Sequence, residues 1–249
     1  KEYQATIRLG QATDTGDAEG TVIPAAPAGQ PNPGQPAAAR PTAARLTLAQ
    51  VQAAADALTG DIQQVPPTVS AIKVAGRRAY QLTREGTPPV LEPRPVTVWS
   101  FTVQAVRPVP DGGPDGGPGE LLDADVEVRC SSGTYIRALA RDMGEALGVG
   151  GHLTRLRRTR VGPYDLRAAH GLDELAQRLT VLPLAEAAAG AFPVRQLTED
   201  EARSLSHGGR LAALAQEAGP VAALGPDGTL IALVEEKDGV ARPLAVFVP

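Results

Sequence analysis

Residues Glu2 to Leu9 (EYQATIRL) alternate, with Tyr3, Ala5, Ile7 and Leu9 on one face and Glu2, Gln4, Thr6 and Arg8 on the other. That period of two is the signature of a half-buried strand. The turn-rich GQATDTGDAEG follows, and Thr47 is placed to cap a helix over LAQVQAAADAL that stops before Gly60. After the Pro66-Pro67 break, QQVPPTVSAIKVAGRRAYQLTREG predicts a short strand from Val69 to Val74, a turn at Gly76 and a short helix from Arg77 to Arg84. Two long strands, Val96 to Val106 and Leu121 to Arg129, flank PDGGPDGGPG, the composition of a hairpin tip.

The alternation of LLDADVEVRC breaks at Ser131-Ser132-Gly133 and then changes period. Ile136, Leu139, Ala140, Met143 and Leu147 recur at helical spacing, which predicts a helix docked on the sheet. Tyr135 and Arg137 stand at this strand-to-helix join. GHLTRLRRTRVGPY then reads as a basic strand and LDELAQRL as a short helix. Beyond Ala187-Ala188-Ala189-Gly190 comes a smaller pattern: a helix over TEDEARSLSHGG, with Thr198 as N-cap and Glu201 completing a capping box, and the strands VAALG, LIALVEE and PLAVFVP between the turns PDG and KDG. The elements predict a larger part of strands and helices over residues 1–190 and a small mixed β module over 191–249, with the boundary near Phe192.

Composition refines this picture in one place. From Ile23 to Arg45 the chain is almost wholly Ala, Pro, Gly and Gln, a low-complexity insertion expected to be a mobile surface loop. The 249 residues are 43% hydrophobic and 21% charged, ordinary values, with only 3% aromatics. A single cysteine, Cys130, excludes an internal disulfide, and the three histidines give no structural zinc pattern, so no metal is expected. No apolar run approaches the roughly 20 residues of a membrane span. No signal peptide is read, and a cytoplasmic protein is expected. The chain begins at Lys1 rather than Met, inside a strand pattern, so an N-terminal portion is expected to be missing.

The net charge of −4 hides an uneven distribution. Between Arg129 and Arg167, eight arginines face Asp142, Glu145 and Asp165, a local balance of +5. From Lys73 to Arg94 the balance is +3, whereas the chain from Val194 onward carries −3. Concentrated basic charge suits an anionic partner such as nucleic acid.

Four stretches in order, KEYQATIRLGQATDTGDAEG, QVPPTVSAIKVAGRRAYQLTREG, CSSGTYIRALARDMGEALG and GHLTRLRRTRVGPY, with the small β module last, resemble the bacterial tRNA pseudouridine-55 synthase family, TruB. The resemblance covers the chain apart from the 23–45 insertion and the glycine-rich tip. It implies an α/β fold of the α+β type, with a catalytic domain over 1–190 built on a mixed, mainly antiparallel sheet and a PUA-like RNA-binding domain over 191–249, and isomerisation of a uridine in the T-arm loop of tRNA by a monomer without cofactor. The target base would be flipped from its stack. By the same resemblance Tyr3 stacks on the flipped base, Tyr135 contacts the substrate, and Arg137 pairs with a catalytic aspartate. Leu156 lines the base pocket, Asp14 lies near its rim, and Lys73 belongs to the loop that grips the tRNA arm. The family's aspartate sits in a G-x-L-D-P-x-A-x-G segment upstream of the tyrosine matching Tyr3. No such segment occurs in these 249 residues, which are therefore expected to be inactive alone.

Each residue also has a plainer reading. Tyr3 and Tyr135 fit packing positions, Leu156 is most simply a core leucine, and Arg137 and Arg141, four apart, fit a solvated helix face. Arg155, Arg157 and Arg158 fit a solvated strand edge, although four arginines in six residues favour phosphate contacts, a role also expected of Arg141. Two further functions remain open: an RNA-binding or tRNA-folding protein without chemistry, and a relative of the guide-RNA-dependent pseudouridine synthases.

Overall fold

The computed structural model describes residues 1–23, 42–74, 76–110, 121–214 and 219–248. The expected loop from Ile23 to Arg45 lies mostly outside the described residues, as does the glycine-rich tip beyond Pro110. The chain divides into two compact units, residues 1–159 and 160–249.

Unit 1 is built on strands β1 (Glu2–Leu9), β4 (Gly60–Gln64), β7 (Arg94–Pro108), β8 (Leu122–Cys130) and β9 (Gly151–Val161), in the order β9-β1-β8-β7-β4. The pairs β1–β8, β7–β8 and β4–β7 are antiparallel. The alternation of the first segment explains the sheet's two faces. Tyr3, Ala5 and Ile7 stand opposite Val128, Val126 and Ala124, while Gln4, Thr6 and Arg8 stand opposite Glu127, Asp125 and Asp123. Two helices, α1 (Leu48–Ala57) and α3 (Ile136–Ala146), bury the apolar face. Val51 and Ala55 from one, and Leu139 and Met143 from the other, join Ile7, Leu9, Val98 and Val126 in a single core with almost no exposure. Each such side chain contributes about 1.5–3 kcal/mol by leaving water.

Local chemistry sets the helix ends. Thr47 and Gln50 form a reciprocal cap at the start of α1, which ends before Gly60 at φ +100°, a backbone conformation that glycine tolerates. The expected strand from Val69 to Val74 is a correction. Only β5 (Lys73–Val74) pairs, with β6 (Arg77–Arg78), because the carbonyls before it serve elsewhere: Val69 O accepts from Arg137, and Ser70 O accepts from Tyr80 N. Since Arg77 and Arg78 belong to that ribbon, α2 covers only Ala79–Arg84. A further ribbon, β2 (Ala12–Thr13) with β3 (Val22–Ile23), closes the TDTGDAEG loop.

Unit 2 holds a short hairpin that returns through β10 (Tyr164–Asp165), then α4 (Leu172–Gln177) and α5 (Leu184–Ala191). Its sheet consists of β11 (Val194–Gln196), β12 (Leu211–Ala212), β13 (Pro220–Leu224), β14 (Leu230–Lys237) and β15 (Val240–Val246), with order β11-β13-β14-β15-β12. Helix α6 (Glu199–Ser206) begins with the expected Thr198–Glu201 capping box. The Ala187–Gly190 stretch, after which the sequence pattern changes, lies within α5. Small side chains let this helix sit close to the sheet, where Ala188 packs with Ala222, Leu224 and Leu230. For that reason the compact unit begins well before Phe192.

Beside this sheet lies a buried ion network. Arg195, with 4% of its side chain exposed, donates to Glu201 Oε1 at 2.8 Å, Glu236 Oε1 at 3.1 Å and Ala212 O at 2.8 Å. One side chain thereby ties β11, α6, β12 and β14 together.

Candidate functional site

The site grows from the turn after β8. Ser131 N–H donates to Thr97 O at 2.8 Å, and Thr97 N–H donates to Ser131 Oγ at 3.0 Å, which anchors the turn to β7. Tyr135 then occupies the N-cap of α3 in extended conformation, without a side-chain cap of its own. The capping comes from outside the helix. Tyr135 N–H donates to Gln64 Oε1 at 2.8 Å, and Gln64 Nε2 donates back to Tyr135 O at 3.2 Å.

In the first turn of α3, Arg137 is caught between two loops. Its Nη1 donates to Thr15 O at 2.8 Å and Asp17 Oδ2 at 3.2 Å, and its Nη2 donates to Val69 O at 2.7 Å. These bonds use three of the five N–H donors of a guanidinium, a group that keeps its charge throughout the accessible pH range. Asp17 is itself held by the Thr15 hydroxyl at 2.7 Å and by Glu19 N–H at 3.2 Å. The loop reaches the helix because Gly16 has φ +76°, and a Cβ there would lie 3.4 Å from the Cβ of Arg137.

Beside this clamp is a cavity of about 630 Å³. Its walls come from Thr13 to Gly16, from Val65 to Thr68, and from Arg137, Ala138 and Arg141 of α3. Asp14, read as a rim residue, lines this cavity and accepts from Thr21 N–H at 2.9 Å. Arg141, expected to touch phosphate, spends donors within the protein, on Val65 O at 2.9 Å and Asp142 Oδ1 at 2.8 Å. Burial pushes the Asp142 carboxyl above its ordinary pKa, and Arg141 opposes that shift. Behind the loop His152 is buried and donates from Nδ1 to Gln11 O at 3.0 Å; desolvation holds its pKa below the usual value.

The other expected residues are not brought to this cavity. Tyr3 is half-buried against the core opposite Val128, and Tyr135 is half-buried at the N-cap. Leu156, read most simply as a core leucine, is 48% exposed: the burial of β9 ends at Leu153, and the residues from Arg155 to Arg158 are all exposed. Lys73 is exposed on the β5–β6 ribbon. Arg155 and Arg157 line a recess of about 160 Å³ on the polar face of the sheet, together with Gln4, Thr6, Asp125 and Glu127. The Asp125 carboxyl is held below its ordinary pKa chiefly by its bond to Arg107, with Arg155 adding a smaller part.

Sequence reasoning missed Gln64 and the contact of Asp17 with Arg137. The TDTGDAEG loop offered a signal for Asp17, since a glycine before an aspartate in a short turn marks a close approach. For Gln64 no sequence signal existed. Among the described residues, no group of three or more His, Cys, Asp or Glu could hold a metal ion, and no helix is long and apolar enough to cross a membrane.

Three family models match the chain. Residues 1–136 match the TruB family pseudouridylate synthase N-terminal domain, residues 137–186 the tRNA pseudouridylate synthase B C-terminal domain, and residues 192–248 the tRNA pseudouridine synthase II C-terminal model. The tRNA pseudouridine synthase B of Thermobifida fusca is 50% identical over 247 residues, covering 99% of this chain and 77% of that protein. The protein of the same name from Streptomyces coelicolor is 50% identical over 251 residues, covering 99% and 76%. Among solved structures, a Cbf5-Nop10-Gar1 complex aligns with TM-score 0.61 at 20% identity, over 100% of this chain and 67% of that one. At that identity the likeness concerns the fold.

Proposed function

The chain belongs to the TruB family of pseudouridylate synthases, and from that premise we propose that it converts one uridine of tRNA, position 55 in the T-arm loop, to pseudouridine. The reaction breaks the bond from C1′ of the ribose to N1 of the base and joins C1′ to C5; C5 gives up its proton to solvent and N1 takes one, so atoms and electrons balance without a co-substrate. The base must leave its stack to react, at a cost of a few kcal/mol.

The observation that carries this reading is the placement of Arg137. It is held from three sides at the start of α3, beside a cavity and with donors to spare. A carboxylate that attacks ribose or base must stay ionised where water is excluded, and desolvation alone would raise its pKa. A fixed guanidinium counters that shift and orients the carboxylate by charge-assisted hydrogen bonds. In the family the attacking aspartate belongs to a segment that is not among these 249 residues; in this proposal it meets Arg137. Tyr3 supplies an aromatic face for the base, Tyr135 and Leu156 bound the substrate, and Asp14 stands at the rim. Lys73, Arg157 and Arg158, all exposed, meet phosphates, and residues 191–249 act as a PUA-like RNA-binding domain. The enzyme works as a monomer in the cytoplasm.

The test uses full-length protein and an unmodified tRNA transcript labelled with tritium at C5 of uridine. Release of the label with pseudouridine at position 55, and none from a transcript carrying cytidine there, is the expected result. Tight binding of the transcript without release would replace the enzyme with an RNA-binding protein.

A further inference from the structure

We infer that Gln64 is a positioning residue for the Arg137 site, the central fastener of a strap that sets the register of α3. This rests on the function proposed above for Arg137. The strap is the QVPPTV segment, and it meets α3 at three levels. At the N-cap, the Gln64 amide accepts from Tyr135 N–H and donates to Tyr135 O. Two turns along, Val65 O accepts from Arg141, and between them Val69 O accepts from Arg137. Pro66 and Pro67 stiffen the connection between these points, because each fixes its own φ and restricts the residue before it.

Gln64 differs from the other two fasteners in acting through its side chain. It is 1% exposed, among the largest fully buried side chains of the unit, and a buried amide needs partners. Both of its partners are the main chain of one residue, so it imitates the paired bonds of a neighbouring strand. The two bonds are unequal in consequence. Tyr135 O also accepts from Ala138 N–H and Leu139 N–H within the helix, whereas Tyr135 N–H donates to Gln64 Oε1. An apolar replacement would therefore leave that part-buried N–H without its acceptor, and the N-cap would shift to find another. Arg137 is two residues away on the same rigid helix, so the shift is carried to its guanidinium.

The residue thus determines a position without touching substrate. Misplacement of a reacting group by about 1 Å costs on the order of 100-fold in rate. The expected signature is a loss in the chemical step with tRNA affinity preserved. Two variants of the full-length protein test it, Gln64→Met and Gln64→Glu, with single-turnover rate, tRNA dissociation constant and thermal midpoint measured for each.

Gln64→Met is expected to lower the rate about 10- to 100-fold while the dissociation constant changes less than about threefold. Gln64→Glu supplies the discriminating readout. When ionised it can only accept, and it sets a charge against Tyr135 O; when protonated it both accepts and donates, as glutamine does. Its rate relative to the unsubstituted protein should therefore recover as the pH is lowered from 8 to 6, because burial raises a glutamate pKa toward that range. A purely structural role would show a lowered thermal midpoint without this recovery.

Gln64→Met at the unsubstituted rate, or Gln64→Glu with no pH-dependent recovery, overturns the inference and leaves the proposed function standing. Equal losses of rate and affinity overturn it as well, since they place Gln64 in RNA binding. If the unsubstituted protein forms no pseudouridine, the proposed function falls and this inference with it.

Discussion

Two arginines in this molecule each make three anchoring contacts, and they serve opposite ends. Arg195 is enclosed, 4% exposed, and meets two carboxylates of its own unit, one of them equally buried. Arg137 is 22% exposed beside a cavity, and two of its three acceptors are neutral carbonyls. Carbonyls fix a guanidinium without cancelling its charge, whereas a pair of carboxylates more than cancels it. Burial between two acids makes Arg195 a fastener; Arg137, with a single carboxylate partner in Asp17 and open space beside it, is the one that the proposed function has meet a further anion.

The comparison can be broken at its buried end first. Arg195→Met removes the guanidinium that joins Glu201, Glu236 and Ala212 O in the network, and should destabilise unit 2 by about 3–5 kcal/mol. Denaturant unfolding monitors this, and the rate per folded molecule should hold. If stability is unchanged, the network is not the fastener described.

Arg137→Ala should reverse that pattern. Turnover in the full-length protein is expected to fall by at least about 100-fold, with tRNA binding largely intact and the denaturation midpoint little moved. Equal losses in turnover and binding would make Arg137 a phosphate contact, and the distinction from Arg195 would then rest on burial alone.

A finer effect separates the exposed arginines of β9. Arg158→Ala should reduce the slope of log affinity for tRNA against log salt by about 1, as expected when one phosphate contact is lost. Arg155, which faces Asp125 in the recess on the polar face, should reduce the slope by about half as much or less when replaced by alanine. Equal slopes for both variants would show that the neighbouring carboxylates do not matter.

The smallest effect concerns an arginine in neither class. Asp165 is held at a pKa of about 2, chiefly by the side chain of Arg167 and then by its backbone N–H, on a solvated surface. Because the folded pKa is depressed, the stabilisation is present above the ordinary value of 3.8 and is lost as the pH falls through 2. A carboxyl NMR titration should place the midpoint near 2, and Arg167→Ala should move it back toward 3.8.

Much of this was legible in the chain because it depends on neighbours in sequence. The alternation of EYQATIRL became the two faces of β1, Thr47 caps α1 as read, and the Thr198–Glu201 capping box formed. The join at Tyr135 and Arg137 was visible as a change of period. Leu156 misled because its hydrophobicity says nothing of whether an element covers that part of β9.

By itself, then, the sequence determined the strands, the amphipathic helix after the glycine turn, the concentration of basic charge and the order of motifs that marks the family. These are properties of short stretches, set by periodicity, capping and composition. Only the tertiary structure decided that Arg137 meets Asp17, Thr15 O and Val69 O, across separations in sequence of 120, 122 and 68 residues, and that Gln64 holds Tyr135 from 71 residues away. Contacts of that range depend on how strands and loops pack in space, and no local pattern records where a buried amide will find its partner.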